Sequence, residues 1–158
     1  MSPSDPHLEV SFAPRHDDWE VRCRGRHPGH RLLVDIGLVL PPGLTLYLEG
    51  TSIAPSVEAY VADRPAADPM SVRRGTIWPR PKAYQMPMTT ENVAGLAELM
   101  KGLAEHEVAD HLHAYRDAVA YLIWFDAWSD SPFYLHKDVP EDAVRRLCGT
   151  YGCEYSPF

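Results

Sequence analysis

The side chains best suited to chemistry crowd into the stretch from Glu105 to Asp126. Taken as a helix, this stretch sets His106, Asp110, His113 and Asp117 on one stripe at steps of four, three and four residues. Two imidazoles and two carboxylates on one helical face can meet a divalent cation, and they equally make the wet face of an amphipathic helix. The apolar stripe opposite runs through Val108, Leu112, Tyr115, Val119, Leu122 and Ile123, with Asp126 at its centre and His111 at its edge. Ionisable groups sent inward must find partners or shift their pKa, which makes His111, Tyr115 and Asp126 the candidate proton-transfer set. The alternative is a helix that ends near Trp124, leaving Asp126 to bond loop backbone around Trp128 and Ser129.

The run from Glu105 to His113 superficially resembles the two-histidine helix of zinc metalloproteases. That motif needs histidines four residues apart, whereas His106 and His111 are five apart and point about 140° away from each other, so the resemblance is rejected. Cys148 and Cys153 enclose Gly149-Thr150-Tyr151-Gly152, a spacing open to a small disulfide loop or half a metal site. No second cysteine pair stands at ligand spacing, and free thiols are the simpler reading. The glycines match neither a phosphate loop nor a dinucleotide fingerprint, and no serine, cysteine or histidine has a nucleophile context. The expectation is therefore no cofactor and no bound metal.

A third group of residues suits binding rather than catalysis. From Trp124 to Tyr134 the chain packs Trp124, Phe125, Trp128, Phe133 and Tyr134 around Asp126 and Asp130. Large aromatics anchor interfaces, and they equally seal a helix pair against a sheet. The helical wheel turns Trp124 outward, so Trp124, Trp128, Asp130 and Tyr134 make a candidate docking surface for a basic protein partner. Positive charge gathers elsewhere, at Arg22, Arg24 and Arg26, then at Arg73, Arg74, Arg80 and Lys82. Aromatic interleaving there is thin, and nucleic acid is not the expected partner.

Composition bounds these readings. A chain of 158 residues, 45% hydrophobic and 23% charged, is sized and composed for one folded domain spanning residues 1–158. Its net charge of -7 disfavours non-specific attraction to phosphate backbones. The acidic excess lies wholly beyond Lys82, where twelve Asp and Glu face five Lys and Arg, against ten of each before it. Residues 1–10 carry Asp5, His7 and Glu9 and do not read as a secretory signal, and the longest apolar run, 118–125, is far short of a membrane span. Three cysteines are too few and too odd for a secreted disulfide framework, which points to a reducing cytoplasm. Oligomeric state is not readable.

The elements that must position these residues are expected as an α+β domain, with an antiparallel meander of about five strands (β-rich 8–80) packed against two or three C-terminal helices (helical 89–150). Period-two alternation marks strands through Leu8-Val10-Phe12, Trp19-Val21-Cys23, Leu44-Leu46-Leu48 and Val57-Ala59-Val61, and the mostly apolar run from Arg31 to Leu40 reads as a further strand paired with Leu44-Leu46-Leu48. Thr89 caps a helix through Leu96, Leu99, Met100 and Leu103, with a break over 102–107 before the second helix. Asp138 and Glu141 have capping-box spacing for a third, which Gly149 stops. The leading functional expectation is a non-enzymatic protein-binding or regulatory domain using an acidic, aromatic helical surface. The alternative is a small enzyme or metal-binding protein using His, Asp and Tyr groups of the second helix.

Overall fold

In the computed structural model, which describes residues 9–25 and 27–158, the chain is a mixed α+β fold built on a seven-stranded sheet. In chain order the elements are β1 (Glu9–Val10), β2 (Trp19–Arg22), α1 (Gly29–Val39), β3 (Thr45–Gly50), α2 (Pro55–Ala62), β4 (Ser71–Val72), β5 (Lys82–Pro87), α3 (Thr90–Met100), β6 (His111–Arg116), β7 (Val119–Trp124), β8 (Phe133–Leu135), α4 (Glu141–Tyr151) and β9 (Glu154–Pro157). The sheet order is β5-β3-β6-β7-β8-β2-β9, with every recorded pairing antiparallel. The antiparallel α+β expectation holds in outline. The sheet is larger than five strands and draws them from both halves of the chain, and only β6-β7-β8 is a simple meander.

Two expected strands are helices. Over Arg31 to Leu40 the buried positions Leu32, Leu33 and Ile36 follow helical spacing from buried Gly29, and Val57 and Val61 repeat it at i, i+4 after Pro55 in the first turn of α2. Conversely, the expected second helix is the hairpin β6–β7. Leu112 and Ala114 face the main core while His111, His113 and Tyr115 face the other side of the sheet, and all five are buried. Burial on both faces erases the polar alternation that identifies a strand. The hairpin turns through Asp117 and Ala118, both at positive φ (51° and 63°), as a two-residue type I′ connection requires.

The α3 expectation agrees at its start, with Thr89 Oγ1 accepting from the Asn92 N–H at 3.1 Å, and the helix ends at Met100, short of the expected Leu103. Helix α4 runs through Gly149 and ends instead at Gly152, whose φ of 63° is the left-handed turn that terminates helices. On one face of the sheet the helices bury Leu46, Leu48, Leu112, Leu122 and Leu135 with Leu33, Ile36, Leu96 and Val144. On the other, Tyr47, Tyr115 and Ile123 are covered by Val10 and Phe12. There β1 pairs in parallel with β4, and the expected partner position Leu8 lies outside the described residues, as does Arg26.

Cys23 and Cys153 are joined as a disulfide, tying the end of β2 to the start of β9, and Cys148 is the free, buried cysteine. This corrects the expectation of free thiols at both Cys148 and Cys153. No helix among the described residues is long and apolar enough to cross a membrane.

Candidate partner-binding cleft

A polar layer lies beneath the loop that joins β4 to β5. Glu49, wholly buried near the end of β3, accepts the Thr76 N–H at 2.8 Å, the Gly75 N–H at 3.1 Å and the Tyr47 hydroxyl at 2.6 Å. Three donors on one carboxylate make a satisfied buried anion and hold the loop down. Burial, reinforced by the bond to Glu49, raises the Tyr47 pKa. Gly75 is required by close approach, since a Cβ there would sit 2.8 Å from the Phe125 ring and 3.0 Å from the His111 ring.

Next to this layer, His111 and His113 project from alternate positions of β6 with their ring planes 13° from parallel. His113 Nδ1 accepts the Trp124 N–H at 3.0 Å, and His111 Nδ1 accepts the Asp126 N–H at 3.1 Å. Burial, with a smaller contribution from His111, lowers the His113 pKa to about 3, so the ring is neutral. In neutral His111 the hydrogen must sit on Nε2, which lies 2.8 Å from Thr76 Oγ1. His111 as arranged donates to the threonine hydroxyl and does not act as its base.

The aromatic residues form the adjoining wall. Trp124 packs against Trp128 at 5.1 Å and Phe133 at 5.2 Å between ring centroids. Trp128 holds a φ of 64° and Asp126 a φ of 49°. A bulky residue at positive φ costs about 1–3 kcal/mol and persists only where its surroundings over-determine it. The Trp128 indole is fixed by its Nε1 donating to the Gly29 carbonyl at 3.3 Å, at the start of α1.

These walls enclose an open cleft of about 950 Å³ at one end of the sheet. Leu32, Leu103, Trp124, Trp128 and Phe133 supply its apolar lining, and Glu105, Asp110, Asp126 and Asp130 supply four carboxylates. Asp110 is fixed by accepting the Thr51 N–H at 3.0 Å. The remaining carboxylate residues, Glu105, Asp126 and Asp130, are exposed.

The residues singled out from sequence distribute unevenly around this cleft. His111 and Asp126 both line it, with Asp126 Oδ1 4.0 Å from His111 Nδ1, but Asp126 is an exposed turn residue and not the centre of an apolar helical face. Tyr115 lies away from the cleft, where its hydroxyl accepts the Met70 N–H at 2.8 Å and donates to Gln85. The helical stripe of His106, Asp110, His113 and Asp117 does not exist. His106 and Asp110 line the cleft, His113 is sealed in the sheet, and Asp117 is in the far hairpin turn. No group of three or more His, Cys, Asp or Glu among the described residues is placed to hold a metal ion.

Of the docking set, Trp128 and Asp130 line the cleft, while Trp124 is only 2% exposed and forms its inner wall, contrary to the outward position a helix gives it. Tyr134 points to the opposite side of the sheet, against Phe158. Sequence reasoning missed Glu49 and Thr76, which come from distant segments with no local motif. In sequence Glu49 alternates with Leu46 and Leu48 and so reads as an outward residue, and only the covering of that second sheet face buries it. No protein-family model matches the chain, and neither a curated relative nor a solved structure matches it.

Proposed function

We propose that this chain is a non-enzymatic protein-binding domain whose cleft receives a basic segment of a protein partner. The observation that carries the reading is Trp128, held at a φ of 64° with its ring beside Trp124, in a cleft bordered by Glu105, Asp110, Asp126 and Asp130. Backbone strain of this kind clusters at ligand-binding loops. A guanidinium or ammonium entering the cleft meets an indole for cation–π contact and carboxylates for charge-assisted hydrogen bonds. The acidic excess beyond Lys82 adds long-range attraction for such a partner.

The test uses tetra-arginine amide as probe, titrated into isotope-labelled protein and read by amide and indole chemical shifts. Shifts confined to Trp128, Asp126 and Asp130, weakened about tenfold or more by Asp126→Asn with Asp130→Asn, support the reading. An absence of shifts at the cleft, or shifts unaffected by those exposed substitutions, overturns it.

A further inference from the structure

The same chain carries, beside the acidic cleft, a segment with the complementary chemistry. Past Thr76, which lines the cleft, the loop presents Ile77 and Trp78 at 91% and 85% exposure, against 67% and 49% for the exposed Leu38 and Phe158. Arg73, Arg74 and Arg80 stand around them, all exposed. The finger is not a loose loop. Glu49 grips its base through Gly75 and Thr76, Gly75 packs on Phe125 and His111, and Arg74 donates to the Pro81 carbonyl at 2.7 Å. It is thus an apolar tip with a basic collar on a rigid base, next to an aromatic cleft with an acidic rim.

Glu49 anchors the finger only at Gly75 and Thr76, and beyond them Ile77 and Trp78 stand exposed and outside their own cleft. The cleft of another molecule offers them a surface of matching charge and apolar character. Because finger and cleft adjoin, the finger of one copy can enter the cleft of a second while the reverse insertion occurs across a two-fold axis, which closes the assembly at two. We infer that two copies of this chain associate by reciprocal insertion of the Ile77–Trp78 finger into the acidic cleft. This inference rests on the reading of that cleft as a receptor for basic segments, and it names a first occupant: a second copy, which a partner must displace.

Counting finger and cleft surface in both copies, reciprocal insertion buries on the order of 1,200 Å², at the lower edge of stable interfaces. The dimer is consequently weak, salt-sensitive and concentration-dependent.

Sedimentation velocity of the full chain from about 1 to 500 µM tests it. The expected result is a monomer–dimer equilibrium whose dissociation constant rises about tenfold or more between low and high salt. Ile77→Ser with Trp78→Ser alters only exposed side chains and should give a monomer with unchanged circular dichroism and melting temperature. Glu105→Gln with Asp126→Asn and Asp130→Asn should do the same. Mixing these two variants restores one of the two contacts and should give a heterodimer weaker than the wild-type pair. A wild-type chain that stays monomeric throughout, or a dimer unchanged by the finger substitutions, overturns the inference. If the chain is monomeric while tetra-arginine still binds the cleft, the dimer alone falls; if neither occurs, both readings fall.

Discussion

The backbone N–H of Thr76 lies 2.8 Å from the carboxylate of Glu49, 27 residues before it, and this contact couples the interior of the sheet to the exposed finger. The same carboxylate takes the Gly75 N–H and the Tyr47 hydroxyl. Glu49→Gln keeps the shape but replaces a charged acceptor by a neutral amide, so the bonds from Gly75 and Thr76 lose their charge assistance and the Tyr47 hydroxyl must turn to accept from the new NH2. Denaturant unfolding should show a loss of about 2–4 kcal/mol. Hydrogen exchange at Gly75 and Thr76 should accelerate beyond the global effect, because the loop loses its anchor. Unchanged exchange there would mean the loop is held by its packing on Phe125 and His111 alone.

His113 predicts an acid-labile fold. Its ring is 1% exposed, stacks on Phe12 at 4.1 Å and gives its Nδ1 lone pair to the Trp124 N–H, so burial holds its pKa near 3, below the ordinary value of 6.5. The unfolded chain takes up a proton below about 6.5 that the folded chain refuses until about 3. Stability from this residue is therefore whole above that upper value and falls with decreasing pH, by at most about 1.4 kcal/mol per pH unit. His113→Gln retains an acceptor for Trp124 and should flatten urea-derived stability between pH 6 and 4 by about one proton. It will also lower stability at neutral pH through the lost stack on Phe12. An unaltered slope would place the acid sensitivity elsewhere.

What the sequence disclosed follows from how much of each element meets water. Helix α3 was legible because Thr89 caps it and one face stays wet. The β6–β7 hairpin was illegible because His111, His113 and Tyr115 are as buried as Leu112 and Ala114, so no wet face marks the strand, while Leu112, Tyr115, Val119 and Leu122 happen to fall at helical spacing. Its turn also lacks the glycine that normally announces positive φ. The sequence signalled the cleft through Trp128, Asp126 and Asp130, which are neighbours along the chain. Leu32, Leu103 and Thr76 reach it only through tertiary folding.

The cysteines make a chemical prediction. With Cys23 and Cys153 paired and Cys148 buried, its pKa raised to about 11 by burial, native protein should present no reactive thiol. Unfolding without reductant should expose one thiol per chain, and unfolding with reductant three, by a colorimetric thiol assay. The bond closes a separation of 130 residues, so replacing both cysteines with serine should cost roughly 2–5 kcal/mol. Because Cys23 lines the cleft, tetra-arginine affinity should fall with that replacement if the tie between β2 and β9 shapes the cleft wall.

Ala118 offers a substitution whose sign separates the hairpin from the helix that the residue pattern suggests. In a helix interior, exchanging alanine for glycine costs about 1 kcal/mol. In the observed turn Ala118 holds a φ of 63°, following Asp117 at 51°, a conformation glycine adopts without the steric cost that a Cβ imposes. Ala118→Gly should therefore stabilise the protein by roughly 0.5–1 kcal/mol, after a small offset for greater unfolded-state freedom and the lost methyl contact. The gain should be visible as a higher denaturation midpoint with unchanged slope. A loss of about 1 kcal/mol would instead match a helical Ala118 and would contradict the register that places His111 opposite Glu49 and Trp124 opposite Leu112.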